Sequence, residues 1–161
     1  MLFCADSRVC PESIFDQRSD SIFETRNAGN VVDDDVLGSF EYAVEHLHVP
    51  LIVVLGHKGC GAIHAVCEAQ DRPLPNHLRE LQKHMEGIHK DVMNAHDRHD
   101  AHVLDELSAK NAAQQARLLV EQSSVLAAAV KKGDVRLHYA ICDMESGVVE
   151  FFDVAKDAPR K

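Results

Sequence analysis

The 161 residues carry 17 Lys and Arg against 26 Asp and Glu, a formal net charge of −9, with 45% hydrophobic residues, 5% aromatics and no Trp. That is the composition of one folded domain, which excludes a disordered chain and argues against a nucleic-acid or anionic-membrane surface. No apolar run nears the roughly 18 residues of a membrane span. No charged segment followed by an apolar stretch marks a secretory leader. Five Cys, an odd number, fit a reducing compartment better than a disulfide framework, so a cytoplasmic protein is expected.

Met1–Ala5 opens the chain directly as a short apolar strand. Pro11 through Phe15 looks like a helix start, with Pro at the first position. Ser21–Arg26 reads as a second strand, and Asn27-Ala28-Gly29-Asn30 as a turn. Asp33–His48 predicts a helix, because Val36, Phe40, Ala43, Val44 and Leu47 recur at helical spacing. Leu51–Leu55 is an unbroken, Val-rich run suited to a strand buried on both faces. Gly56 ends it, and Gly61–Gln70 reads as the next helix. After a Pro-containing break at 72–75, Asn76–His99 is polar and helical, and Val103–Lys132 is one long helical stretch. Arg136–Cys142 and Val148–Val154 read as strands of a hairpin around Glu145-Ser146-Gly147. The alternation is α/β, a class in which ligands sit outside the carboxyl ends of the strands.

Two such strand ends are chemically loaded: Cys4-Ala5-Asp6-Ser7-Arg8 and Gly56-His57-Lys58-Gly59-Cys60. Cys4, His57 and Cys60 supply two thiolates and an imidazole, a known ligand set for catalytic zinc with one open position. Thiolates favour zinc over magnesium or calcium. H-x-x-C alone is a weak signal, and a single strand Cys is usually a small buried hydrophobe. Cys10, Cys67 and Cys142 stand at no short spacing to the cluster and read as core or semi-exposed thiols. Asp6 and Arg8 share a face with Cys4 if the segment stays extended. An Arg–carboxylate fork would keep Asp6 ionised and acceptor-only. If Arg8 lets go, Asp6 becomes a fourth zinc ligand in a closed state. The plainer reading of Asp-x-Arg is a structural salt bridge.

These residues resemble the β-class carbonic anhydrases. Cys4 to Arg8 matches the family's C-x-D-S-R, and Arg26-Asn27-Ala28-Gly29-Asn30 its R-N-x-x-N. Ser39 to Val44 matches S-x-E-Y-A-V, and Gly56 to Gly61 the G-H-x-x-C-G zinc turn. Asn111 and Ser123 match motifs of the later helix, so the likeness is collinear from Cys4 to about Phe152. It implies a central, mostly parallel sheet: four parallel strands plus an antiparallel C-terminal edge strand, flanked by helices. It also implies zinc on Cys4, His57 and Cys60, Asp6 and Arg8 as a catalytic dyad, and a homodimer or higher homo-oligomer. The implied reaction is reversible hydration of carbon dioxide to bicarbonate by attack of zinc-bound hydroxide. Val31, Val32 and Phe15 are expected near an apolar substrate pocket, with Gly61 beside it. The family's N-terminal helical arm has no counterpart ahead of Met1, so residues 1–161 are expected to form a single domain without it. Two alternatives share the motifs: a carbon disulfide or carbonyl sulfide hydrolase, and a zinc-binding homologue without turnover. A nucleophilic Cys60–His57 pair would leave Cys4 and the Asp6–Arg8 fork unexplained. For proton export, His77, His84, His89, His96, His99 and His102 are the crowded group, with a solvated polar helix as the plainer reading.

Overall fold

A computed structural model describes residues 1–69, 72–88 and 101–154 of the chain. Strand β1 (Leu2–Cys4) is followed by a one-turn helix α1 (Pro11–Ile14) and strand β2 (Thr25–Asn27). Helix α2 (Asp34–Glu45), strand β3 (Leu51–His57) and helices α3 (Gly61–Ala69) and α4 (Leu78–His84) come next. Then come α5 (Ala101–Gln122), α6 (Ser124–Lys132), β4 (Arg136–Cys142) and β5 (Val149–Asp153).

The five strands form one sheet in the order β2-β1-β3-β4-β5. Its first four strands are parallel and β5 runs antiparallel to β4, the arrangement the family resemblance implies. β3 is central, and its side chains alternate between two cores. Ile52 and Val54 join Phe40, Leu119 and Leu126 under α2, α5 and α6. Val53 and Leu55 join Phe3, Val9 and Ala140 on the other face. This two-sided burial explains why residues 52–55 carry no polar side chain.

Two expectations need adjustment. The second strand covers Thr25–Asn27 rather than Ser21–Arg26, because β1 offers only Leu2, Phe3 and Cys4 to pair with it. The long helical stretch breaks at Ser123, whose backbone is extended and whose hydroxyl caps α6 by accepting from the Leu126 N–H. Of the polar Asn76–His99 segment, Leu78–His84 is helix, and residues 89–99 lie outside the described part.

The chain winds from β1 outward to β2, then crosses back to β3 and on to β4. The strand order therefore reverses between β1 and β3, where a crevice opens at the carboxyl edge. Cys4 ends β1 and His57 ends β3, so the topology brings both to that crevice. Helix α5 crosses β3 at Gly56. There a Cβ would stand 3.1 Å from the Ser108 carbonyl and 3.2 Å from Ala112 Cβ, so only glycine admits the helix this close.

Candidate metal and active site

Cys4, His57 and Cys60 are buried, and their donor atoms all lie within 4.8 Å of one another. The two sulfurs are 3.9 Å apart. Two thiolates on one tetrahedral zinc, at about 2.3 Å each, stand about 3.8 Å apart, so the spacing suits zinc. His57 Nδ1 lies 3.0 Å from the Lys58 carbonyl. A carbonyl only accepts, so Nδ1 carries the proton and Nε2 keeps its lone pair. That Nε2 is buried with no hydrogen-bond partner in a fully buried residue. An orphaned acceptor beside two thiols is what a metal would satisfy.

The two thiols share their charge unevenly. Cys60 hydrogen-bonds Cys4 and, with the His57 side chain and the Gly29 and Asp6 backbone, pulls the Cys4 pKa below that of an ordinary thiol. The same contact, with burial, pushes Cys60 up. The pair thus loses its first proton readily and keeps the second. Both must be lost when a metal binds.

Asp6 and Arg8 follow Cys4 on the turn leaving β1. Arg8 Nε donates to Asp6 Oδ1 at 3.0 Å and an Arg8 terminal nitrogen to Oδ2 at 2.7 Å, a bidentate fork; the Arg8 backbone N–H adds a third bond, also 3.0 Å. Arg8 thereby holds the Asp6 carboxyl well below the usual carboxylate range. The same guanidinium reaches the Gly59 carbonyl at 3.2 Å, which ties the fork to the His57–Cys60 turn. Arg26 holds the segment from beneath by donating to the Asp6 and Val9 carbonyls.

The other expected pocket residues are dispersed. Val31 packs in the cluster that contains Cys4 and Cys60. Val32 belongs to the core under α2 and α5. Phe15 packs on the opposite core and lines, with Phe23, Leu51 and Phe151, a cavity of about 400 Å3. Gly61 opens α3 directly after Cys60. Cys10 is exposed, Cys67 and Cys142 are buried, and all five cysteines are free.

The carbonic anhydrase family model matches residues 1–149. The solved β-carbonic anhydrase CcaA superposes with a TM-score of 0.82 at 26% identity, covering 99% of this chain and 76% of that one. The chain belongs to the β-class carbonic anhydrases. Carbonic anhydrase 2 of Mycobacterium tuberculosis is 37% identical over 146 residues, 89% of this chain and 69% of its own length. The Pseudomonas aeruginosa carbonic anhydrase is 35% identical over 165 residues, 94% of this chain and 71% of its own length. β-Carbonic anhydrases use zinc, and among the described residues Cys4, His57 and Cys60 form a group able to hold it.

Sequence reasoning passed over Asp105, whose Oδ1 accepts from the Gly59 N–H at 3.0 Å across 46 residues of chain. It took Asn111 only as a motif match and gave no role to the side chains that support the Cys4 side. Asn111 donates to the Gly29 carbonyl at 2.7 Å, while Gln115 accepts from the Val32 N–H and donates to Asn111. The Gly29 N–H in turn points at Cys4 Sγ, 3.4 Å away. The available signal was periodicity: Asp105, Ser108, Asn111, Ala112 and Gln115 fall on one helical face.

Proposed function

We propose that this β-carbonic anhydrase catalyses the reversible hydration of carbon dioxide, with Cys4, His57 and Cys60 as zinc ligands and Asp6 and Arg8 as the catalytic pair. The observation that carries the reading is a buried two-sulfur, one-imidazole donor set with an orphaned Nε2, on the same crevice as a bidentate carboxylate–guanidinium fork. Zinc, when bound, supplies Lewis-acid chemistry that brings the pKa of a water from 15.7 to about 7 at the three-histidine carbonic anhydrase site; two thiolates donate more charge and would leave that value higher. Asp6, kept ionised by Arg8, is acceptor-only. An O–H directed at it is held with a lone pair free to face the substrate carbon. Arg8 keeps both Asp6 oxygens oriented and leans on the Gly59 carbonyl, so Asp6 stays off the metal while the fork holds. Val31, Ile63 and Leu107 give the buried side of the cysteines an apolar lining suited to a neutral substrate.

Exposed Phe23, Leu51 and Phe151, which line one cavity, and Tyr42, whose ring packs on Phe23, support a homo-oligomer, since four clustered large side chains are costly to leave in water. Among the described residues no helix is long and apolar enough to cross a membrane. Five free thiols support a cytoplasmic setting.

Stopped-flow carbon dioxide hydration with zinc quantitation tests the assignment. The expected result is turnover with one zinc per chain, and a loss of about 10–100-fold in Asp6→Asn at unchanged zinc content. Full zinc without turnover in the unaltered chain would overturn it and leave a metal-binding scaffold.

A further inference from the structure

The turn that carries two of the three zinc ligands is gripped from outside at each of its peptide groups. The Lys58 N–H donates to the Cys142 carbonyl at 3.0 Å. The Lys58–Gly59 peptide offers its carbonyl to His57 Nδ1 at 3.0 Å and its N–H to Asp105 Oδ1 at 3.0 Å. The Gly59 carbonyl, on the next peptide, accepts from Arg8. Gly59 sits at φ +63°, a region that glycine enters without cost but in which it is not confined. Its own conformational preference therefore does not fix which way the adjoining peptides face. The partners at either end must do so.

Asp105 is half-buried in the second turn of α5, the helix that lies against β3 at Gly56. Lys58, the nearby cation, is engaged elsewhere: its Nζ bonds Asp143 Oδ2 at 2.8 Å. The Asp105 carboxylate is thus directed at a peptide N–H rather than at a neighbouring ammonium.

We propose that Asp105 is a positioning residue for the metal centre, acting on His57 through the intervening Lys58–Gly59 peptide. The inference rests on the zinc reading of the site. A metal-ligating histidine commonly donates its second ring N–H to a carboxylate or to a backbone carbonyl. Here both partners stand in series: carboxylate, peptide N–H, peptide carbonyl, imidazole N–H. A negative charge on the N–H side polarises the peptide and makes its carbonyl a better acceptor. The stronger bond at Nδ1 fixes the tautomer that leaves Nε2 free and makes that nitrogen a stronger donor to zinc. The same bond sets the orientation of the turn, so the Gly59 carbonyl stays within reach of Arg8.

Two variants of the full chain separate this role from simple tethering. Asp105→Asn keeps an acceptor oxygen but no charge, whereas Asp105→Ala removes both. In metal-free protein, proton NMR should show the Gly59 amide and the His57 Nδ1 proton far downfield and slow to exchange. Both signals should move upfield in Asp105→Asn and move further in Asp105→Ala. Zinc affinity by chelator competition should fall about 10–100-fold in Asp105→Ala and less in Asp105→Asn. Unmoved Gly59 and His57 signals in either variant would overturn the relay. So would a loss of zinc affinity in which the His57 proton keeps its position, because that is a tether and nothing more. If Asp105→Ala does not fold, Asp105→Asn alone decides by the His57 proton. Should the unaltered chain bind no zinc, the zinc assignment fails, while the metal-free spectra still decide the role of Asp105.

Discussion

Arg8 grips both oxygens of Asp6, and the consequence is a carboxylate that resists protonation. The folded pKa lies below the unfolded one, so the ionised form favours the fold. The contribution is complete above about pH 4 and is lost as the pH falls through the folded value, below the usual carboxylate range. It is small, because the Arg8 side chain is 53% exposed and water screens the pair. In Arg8→Ala the Asp6 midpoint should return toward about 3.9, read by carbon NMR of the side-chain carboxyl. Equal midpoints in the two proteins would mean that the fork does not hold the charge. Thiol chemistry separates the remaining cysteines just as sharply. Burial pushes the Cys67 thiol up to about 11, whereas Cys10 is exposed. Iodoacetamide on the native, zinc-loaded protein should therefore add one label, at Cys10, by mass spectrometry. Early labelling of Cys67 would contradict its burial.

At the scale of elements, the break at Ser123 carries a load that periodicity does not reveal. Its hydroxyl accepts from the Leu126 N–H at 3.2 Å and donates to Glu41 Oε1 at 2.6 Å, joining the start of α6 to α2. Ser123→Ala should cost about 1–2 kcal/mol in urea unfolding, while the exposed neighbour Ser124→Ala should stay within about 0.5 kcal/mol. Equal costs would remove the cap from the argument. Local pattern and distant contact also divide what was legible in the amino acids. β1, β3, α2 and the antiparallel pair could be read from the apolar pattern, because each reflects a nearby run or repeat of apolar residues. The donor trio and the Asp6–Arg8 spacing were visible because they lie within two short motifs. Asp105 was not, since its partner is 46 residues away and helical periodicity gives only its face, not what that face meets. The short second strand was hidden for a related reason: its length is set by β1, not by its own residues.

For the molecule as a whole, a metal held by Cys4, His57 and Cys60 would be a crosslink between parts that the chain delivers separately. Cys4 comes from the end of β1, His57 from the end of β3 and Cys60 from the turn into α3. β1 is only three residues long, and it is the strand that joins β2 to the rest of the sheet. A cation bound to all three donors ties that short strand to the centre of the fold. The unfolded chain lacks the three-donor site, so free zinc at 100 times its dissociation constant adds about 2.7 kcal/mol to stability. For a domain of this size each kcal/mol moves the melting temperature by about 2–4 °C, so stripping the metal should lower it by about 5–10 °C. Calorimetry on zinc-loaded and chelator-treated protein reads the shift directly. His57→Ala should melt at one temperature with or without added zinc, since two cysteines alone leave the ion without its nitrogen. If the unaltered protein also melted at one temperature in both states, the three donors would not hold a metal in the folded chain. The match between their spacing and a tetrahedral zinc would then be a coincidence of packing at the strand ends.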